Sequence, residues 1–223
     1  MNENDNVLSS AKSPLARPLV VLKLGGSLLE CADLADRLRS LIETLRGRRI
    51  LIVVGGGDAA DVVRDWSVRF ALPEESAHWL AIRSLSVTRG LVKELLPECC
   101  EVDSQAAALE ARSTSERPVL LNLEAYLREA ERNHPDPLPH NWDVTSDSIA
   151  AWVAADWGAD QLIMLKSIDL PASMDLQQAA SHGFVDPCFP MIATKLSRIG
   201  WCRLLSDDIR IRDWQTCQQG ITS

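Results

Sequence analysis

Two glycine clusters, each directly after an apolar segment, place the strongest constraint on the fold of this chain. Gly25–Gly26 follows the β-branched and Leu-rich run at 18–24, and Gly55–Gly57 follows the apolar run at 48–54. The two clusters hold five of the 11 glycines. A run that is apolar on both faces is typical of a central strand in a parallel sheet. The pattern therefore predicts two buried strands that each end in a tight glycine turn before a helix.

The rest of the chain alternates between apolar runs and segments with helical periodicity. Strands are predicted at 18–24, 48–54, 99–102, 118–122, 160–167, 201–205 and 209–211. Helices are predicted at 28–46, 58–70, 73–96, 124–131, 145–157 and 186–198, the last with Asp186 as N-cap and Pro187 at its first position. The proline-rich segment at 134–143 is predicted to be an irregular loop. This alternation predicts an α/β protein with a doubly wound, mostly parallel sheet.

Composition sets limits on the class of protein. The 223 residues are 46% hydrophobic with a net charge of −8, which is typical of a globular chain and disfavours a nucleic-acid or anionic-membrane surface. Residues 1–17 are polar, without a signal-peptide pattern, and are predicted to be a flexible N-terminal segment ahead of a single domain at 18–223. Without a membrane-length apolar run, a cytoplasmic location is expected. The six cysteines contain no C-x-x-C pair and are interpreted as reduced packing residues.

The glycine clusters and two lysines together predict an anion site. Glycine turns bring backbone N–H groups close to a bound phosphate, and helix N-termini favour negative charge. Lys23 lies inside an apolar run, two residues before the first glycine, and Lys166 lies near the end of another. A lysine in such a place is costly unless its ammonium finds an anion, and phosphate is a natural partner. The alternatives are ordinary turn glycines and lysine stems that reach solvent.

Neither glycine cluster matches a common nucleotide fingerprint. KLGGS lacks the G-x-G-x-x-G pattern of nicotinamide dehydrogenases, and GGGDAAD lacks the G-K-[ST] end of a P-loop. The sequence therefore disfavours both of these ways of holding a phosphate.

Three segments, VVLKLGGSLL, ILIVVGGGDAADVVRDW and DVTSDSIAAWVAADWGADQLIMLKSID, together resemble the amino acid kinase family. The similarity extends over most of residues 18–205. It implies a three-layer α/β/α sandwich with a mostly parallel central sheet, the amino acid kinase (carbamate kinase-like) fold. It also implies transfer of the γ-phosphoryl group of ATP, with Mg²⁺, to a small-molecule acceptor. Proteins of this family are usually homo-oligomers.

The resemblance also implies roles for individual residues. Lys23 is expected to contact the transferring phosphoryl group, Asp147 to orient the catalytic lysines, and Lys195 to be the second lysine near the nucleotide phosphates. The remaining expected contacts are phosphate or nucleotide binding by Gly25, Gly26, Ser27, Lys166, Ser167 and Asp169, and acceptor binding by Gly55, Gly56 and Gly57.

The chain departs from the family pattern near the expected nucleotide site. Lys166-Ser167 replaces a Thr-Asp pair, and Pro190-Met191 replaces a Gly-Gly pair before the expected second lysine. The hypothesis is that Lys166 takes over part of the missing phosphate contact. The alternative is a protein with weak or lost nucleotide binding, a non-catalytic ligand-binding protein on the kinase fold.

For the acceptor, EESAHWLAIRSLSVTRGL and GFVDPCF resemble a small branch of the family linked to methanofuran and tetrahydromethanopterin one-carbon metabolism. That likeness implies an aminomethylfuran methyl phosphate as acceptor. Trp79 and Arg83 are four residues apart on one predicted helix, and with the neighbouring His78 they are candidates for holding a furan ring and its phosphate. Asp143 is a candidate for the substrate amine. The alternatives are core packing for His78 and Trp79, and a carboxylate acceptor, as in acetylglutamate or aspartate kinases.

Overall fold

A single seven-stranded sheet forms the centre of the protein, which a computed structural model describes over residues 17–216. The strand order is β3-β4-β2-β1-β5-β6-β7, and every neighbouring pair is parallel except β6 and β7. The strands are β1 (Leu19–Leu24), β2 (Arg49–Val54), β3 (Cys100–Val102), β4 (Val119–Leu121), β5 (Gln161–Lys166), β6 (Arg198–Arg203) and β7 (Arg212–Thr216). The predicted mostly parallel sheet is confirmed.

Helices cover both faces of this sheet and complete three α/β/α layers. They are α1 (Leu34–Thr44), α2 (Gly57–Arg69), α3 (Glu74–Leu95), α4 (Gln105–Thr114), α5 (Leu123–Ala130), α6 (Ser146–Asp156), α7 (Leu176–Ser181) and α8 (Phe189–Ala193). Two 3₁₀ helices, Gly26–Glu30 and Glu131–Asn133, complete the regular structure described. The three-layer α/β/α architecture expected from the sequence is confirmed.

Alternation along β1 sends its side chains into two separate cores. Leu22 and Leu24 join the core that α1 covers, whereas Val21 joins the core that contains α6. Lys23 stands two residues after Val21, so it points toward α6. Because α6 is buried from Asp147 to Ala154, Lys23 needs a partner on that helix.

Several predicted boundaries were wrong. The helix predicted at 28–46 is divided into the 3₁₀ turn Gly26–Glu30 and α1, with Cys31 and Asp33 between them. The final strand lies at Arg212–Thr216 rather than 209–211, and the helix predicted at 186–198 shrinks to Phe189–Ala193.

Two short helices were absent from the sequence prediction. Ser104 caps α4 through its hydroxyl, which accepts a hydrogen bond from the N–H of Ala107. Asp175 and Gln178 form a reciprocal capping box on α7. Both caps are local signals that an apolar-periodicity reading does not use.

Some predictions fall outside the residues that the structure describes. They are the flexible segment at 1–17, apart from Arg17, and the interpretation of Cys217. Within residues 17–216, Cys31, Cys99, Cys100, Cys188 and Cys202 are free thiols. No helix in that range combines the length and apolar character needed to cross a membrane.

Candidate active site

Three backbone segments meet where β1, β2 and β5 end. An added Cβ on Gly26 would lie 2.3 Å from the backbone nitrogen of Gly57, and one on Gly55 would lie 3.0 Å from the hydroxyl of Ser146. Gly57 also has a φ of +50°, which favours glycine. The two glycine clusters therefore pack directly against each other and against the start of α6, as only glycine permits.

The N–H groups of these turns are not all available to a ligand. Gly25 donates its N–H to the carbonyl of Leu165 at 2.9 Å, and Gly55 donates to the carbonyl of Leu24 at 2.8 Å. The prediction that Gly25 offers a phosphate its N–H is therefore wrong, because that group completes the β1–β5 junction. Gly26 and Ser27 begin the 3₁₀ turn, and the first N–H groups of a helix have no acceptor within it.

A carboxylate with two lysines forms the charged centre of the site. The Nζ atom of Lys23 lies 2.5 Å from Oδ1 of Asp147, and the Nζ atom of Lys166 lies 2.8 Å from Oδ2. Lys166 also donates to the carbonyl of Phe184 at 2.9 Å. An ammonium has three N–H groups, so each lysine keeps at least one for a ligand. We call Lys23, Asp147 and Lys166 the charged triad.

Sheet register explains why both lysines reach one carboxylate. Lys23 pairs with Met164 across the parallel β1–β5 ladder, and Lys166 lies two residues further along β5. Residues two apart on a strand face the same side, so both lysines point toward α6. Asp147 lies in the first turn of that helix, where the partial positive charge of the helix also favours a carboxylate.

Burial and the ion pairs shift the pKa values of the triad. Burial lowers the pKa of Lys23 to about 8, although Asp147 acts in the opposite direction. Burial alone would raise the pKa of Asp147, but the ammonium groups of Lys23 and Lys166 outweigh it and lower the pKa to about 2. Asp147 is therefore ionised at neutral pH, and its low pKa makes it a weak general base there.

Asp186 holds the start of α6 in place, a role that the sequence did not reveal. Its Oδ2 accepts hydrogen bonds from the N–H of Thr145 and of Ser148, both at 2.9 Å, and Oδ1 accepts from the hydroxyl of Ser148 and the N–H of Phe189. The sequence predicted Asp186 only as the cap of the helix that follows it, and the bond from Phe189 is thus one of several that this carboxylate accepts. Burial raises the pKa of Asp186, against the hydrogen bonds from Ser148. This carboxylate positions Asp147, because it binds Thr145 and Ser148 on either side of Asp147 at the start of α6.

Lys195 does not lie where the resemblance implied. It stands three residues before β6, at the amino edge of the sheet, whereas Lys166 pairs with Arg203 at the other end of the same ladder. Its ammonium instead forms an ion pair with the exposed carboxylate of Asp136. The expectation that Lys195 is the second lysine beside the phosphates is therefore corrected, because α8 and the following turn carry it to the far edge. In the structure the second lysine on Asp147 is Lys166.

A pocket opens beside the β2 glycine turn, on one side of the triad. It holds about 440 Å³ of empty space. The guanidinium of Arg64 lies 4.9 Å from the ring centre of Trp142, so the two form a cation–π pair at the pocket. The full lining is Gly56, Ala60, Arg64, His78, Ala81, Ile82, Leu85, Asn141, Trp142, Val144, Thr145, Ser146 and Ile149. Of these residues, Gly56 and His78 were predicted from the sequence.

His78 is 5% exposed, and its Nε2 has no hydrogen-bond partner among the described residues. Burial, with a contribution from His140, lowers the pKa of His78 to about 4. The imidazole is therefore neutral at physiological pH. A neutral ring with an unpaired nitrogen at a pocket wall can accept or donate one hydrogen bond to a ligand.

Three predicted acceptor residues lie outside this pocket. The indole of Trp79 donates to Glu75 at 2.8 Å, and Arg83 pairs with Glu124 at 3.2 Å with 59% of its side chain exposed. Asp143 is exposed, and its carbonyl accepts the N–H of Cys188. The shared helix face of Trp79 and Arg83 turns toward α5, where Arg83 pairs with Glu124. His78 is adjacent to Trp79 on the helix and therefore points in a different direction, toward the pocket.

Beyond the end of β5 lies the other side of the site. The hydroxyls of Ser27 and Ser167 are 3.0 Å apart, and Asp169 pairs with Arg203 at 3.2 Å and with Arg212 at 3.6 Å. A second pocket of about 430 Å³ begins here. Its walls are Leu170, Pro171, Ala172, Trp201, Arg212, Asp213 and Trp214. The Nζ atom of Lys166 lies 5.7 Å from the ring centre of Trp201 in this wall, and Ser146, beside Asp147, lines the first pocket. The charged triad thus adjoins both cavities.

Comparison with known proteins identifies the family. The sequence profile of the amino acid kinase family matches residues 18–170. A curated relative, the (5-(aminomethyl)furan-3-yl)methyl phosphate kinase of Methanocaldococcus jannaschii, is 24% identical over 153 residues, which make up 67% of this chain and 66% of the relative. The match therefore spans slightly less than two thirds of that protein's length.

Solved structures show the same fold at low identity. The uridylate kinase of Archaeoglobus fulgidus superposes with a TM-score of 0.56 and 17% identity, covering 88% of this chain and 91% of that one. The aspartate kinase of Synechocystis gives a TM-score of 0.59 and 16% identity, covering 89% of this chain and 41% of that one. Because the family profile spans well over half of the sequence, the chain belongs to the amino acid kinase family.

Proposed function

We propose that this protein transfers the γ-phosphoryl group of ATP to a small acceptor held in the Arg64–Trp142 pocket. The observation that carries the proposal is the charged triad adjoining both cavities. Phosphoryl transfer demands mainly positioning and neutralisation of charge on the transferring group. Lys23 and Lys166 supply two ammonium groups at one point, and Gly26 and Ser27 add N–H donors from the adjacent turn.

The residues of the site fit a nucleotide phosphate chain. Each lysine of the triad has an N–H group beyond those that its protein contacts use. Mg²⁺, which neutralises phosphate charge when bound, would be held chiefly by the phosphate oxygens, as is usual for kinases. Asp147 keeps both lysines in place, and its low pKa makes it a poor proton acceptor.

The proposed acceptor is an aminomethylfuran methyl phosphate or a close analogue. The activity in the name of the Methanocaldococcus jannaschii relative supports this choice. So does the pocket: Trp142 offers a ring face, Arg64 a cation for phosphate, and Ile82 and Leu85 an apolar wall. A carboxylate acceptor would favour an arginine clamp, whereas Arg64 is the single Arg in the described lining.

A coupled ADP-release assay on the purified full chain tests the proposal. Aminomethylfuran methyl phosphate is compared with UMP, aspartate and acetylglutamate as acceptors at saturating Mg-ATP. Turnover with the furan phosphate that disappears in Lys23→Ala is the expected result. Turnover with aspartate or acetylglutamate alone would show that the acceptor is a carboxylate. If no acceptor is turned over and Mg-ATP does not bind, the protein is a non-catalytic member of the family.

Arg64 is expected to set the affinity for the acceptor phosphate. Replacing it by alanine removes a charge-assisted contact of about 1.5–3 kcal/mol, so the acceptor KM should rise by roughly 10- to 100-fold. Arg83→Ala is the matched control, since Arg83 pairs with Glu124 outside the pocket. Its KM should stay within about twofold of the wild type. A larger effect of Arg83 than of Arg64 would place the acceptor elsewhere.

The pH dependence of the reaction should report Lys23. Its pKa of about 8 lies below the ordinary value of 10.5, so the ammonium loses its proton as pH rises through about 8. We therefore expect kcat/KM, which reports the free enzyme, to fall above about pH 8. A bound phosphate favours the charged lysine, so the limb in kcat should lie at higher pH. A kcat/KM profile that stays flat to pH 10 would contradict this role.

We also propose that the chain self-associates. Support comes from α2, where the apolar side chains of Val62, Trp66 and Phe70 are 45%, 44% and 64% exposed. Their four-residue spacing places them on one helix stripe. A second copy of this chain would remove that stripe from water.

A further inference from the structure

Five arginines surround a cavity at the amino edge of the sheet. This arginine pocket contains about 280 Å³ of empty space and is lined by Arg17, Arg48, Arg49, Ile50, Arg112, Ser115, Glu116 and Arg117. Arg49 begins β2, whereas the glycine turn of the candidate active site follows the other end of that strand. Six strand residues span about 20 Å, so the two places are well separated.

Positive charge in the arginine pocket is poorly balanced by the protein. Glu116 is the single carboxylate in its described lining, and it pairs with Arg17 at 2.5 Å while remaining 69% exposed. The other contacts are to neutral groups. Arg49 donates to the carbonyl of Arg17 at 2.8 Å, and Arg48 donates to the side-chain oxygen of Gln161 at 3.2 Å.

Arg112 shows this imbalance most clearly. It is 6% exposed, and its Nη2 donates to the carbonyl of Ile50. Its Nε is buried without a hydrogen-bond partner among the described residues. Burial, reinforced by the nearby charge of Arg49, lowers the pKa of Arg112 to about 10. A buried guanidinium without a carboxylate and with an unpaired N–H is costly, and an anion in the cavity would relieve both costs.

We propose that the arginine pocket is a binding site for a small, multiply charged oxyanion of the phosphate class, separate from the site of phosphoryl transfer. Guanidinium groups present planar, paired N–H donors that match the oxygens of phosphate. Orthophosphate and pyrophosphate are small anions of this class. This inference does not depend on the proposed kinase acceptor.

Calorimetric titration of the full chain with inorganic pyrophosphate tests this site. The wild type is compared with an Arg49→Gln/Arg117→Gln double variant, and Arg46→Gln is the control, since Arg46 is 80% exposed and pairs with Glu43 away from the cavity. Both variants keep Arg112, which the fold buries. The thermal unfolding midpoint is recorded in parallel, because a ligand of the folded state raises it.

The expected result is a saturable pyrophosphate component that weakens at least about tenfold in the double variant and is unchanged in Arg46→Gln. The rise in melting temperature that pyrophosphate causes should be smaller in the double variant and unchanged in Arg46→Gln. Orthophosphate should compete with pyrophosphate for the arginine pocket. Any ATP binding that the double variant retains is assigned to the candidate active site. Identical pyrophosphate isotherms in the wild type and the double variant would overturn the proposal.

Discussion

Replacing Asp147 by asparagine is expected to lower the free energy of unfolding by about 3–5 kcal/mol at pH 6.5, the range measured when one partner of a buried ion pair is removed. The reason is the position of Lys23, whose side chain is 4% exposed and lies 2.5 Å from the carboxylate. Without that carboxylate the buried ammonium loses its ion-pair partner, and Asp186 is the weaker opposite charge that remains. Catalysis should fall as well, since neither triad lysine would be held toward the phosphates.

The loss of stability should depend on pH in a defined direction. The pKa of Lys23 in the wild type is about 8, and removal of Asp147 lowers it further. Below the pKa values of Lys23 in the wild type and in the variant, this lysine is charged in both proteins, and the variant shows its full loss of stability. As pH rises through about 8 Lys23 becomes neutral in both, so the difference in unfolding free energy should narrow.

Urea unfolding at pH 6.5 and pH 9.5 measures this effect. Asp143→Asn is the matched control, because Asp143 is an exposed carboxylate four residues earlier. Its stability should stay within about 0.5 kcal/mol of the wild type. Two results would contradict a buried charge on the Lys23–Asp147 pair. One is an Asp147→Asn variant as stable as the control, and the other is a loss of unfolding free energy that is equal at both pH values.

The architecture could be read from the sequence because its signals are local and strong. Apolar runs identified the central strands, and the glycine clusters marked where β1 and β2 end. Lys23 was recognisable because a lysine inside an apolar run needs an anionic partner. The short helices α4 and α7 were missed, since caps at Ser104 and Asp175 define them more than periodicity does.

The candidate site was only partly predictable because its residues come from distant segments. Arg64 and Trp142 meet at the pocket from α2 and a proline-rich loop, and no sequence spacing relates them. Asp186 suggested a local cap, whereas its oxygens hold the start of α6, 38 residues earlier at Ser148. Lys195 was placed by family resemblance, but the short α8 and the start of β6 carry it to the opposite edge of the sheet.

We propose that Lys166, rather than Lys195, is the second lysine of the phosphoryl-transfer site. Lys166 contacts Asp147 at 2.8 Å and is partly exposed, whereas Lys195 pairs with Asp136. Loss of a charge-assisted contact to phosphate costs about 1.5–3 kcal/mol, or roughly 10- to 100-fold in affinity. If the same lysine stabilises the transition state, kcat should fall by about 10²–10³.

The most direct measurement is the dissociation constant of Mg-ATP by calorimetry for the wild type, Lys166→Met and Lys195→Met, with melting temperatures to verify folding. We expect Lys166→Met to weaken Mg-ATP binding by about 10- to 100-fold and Lys195→Met to stay within about twofold of the wild type. The reverse order, with Lys195→Met losing the nucleotide and a folded Lys166→Met retaining it, would contradict the claim.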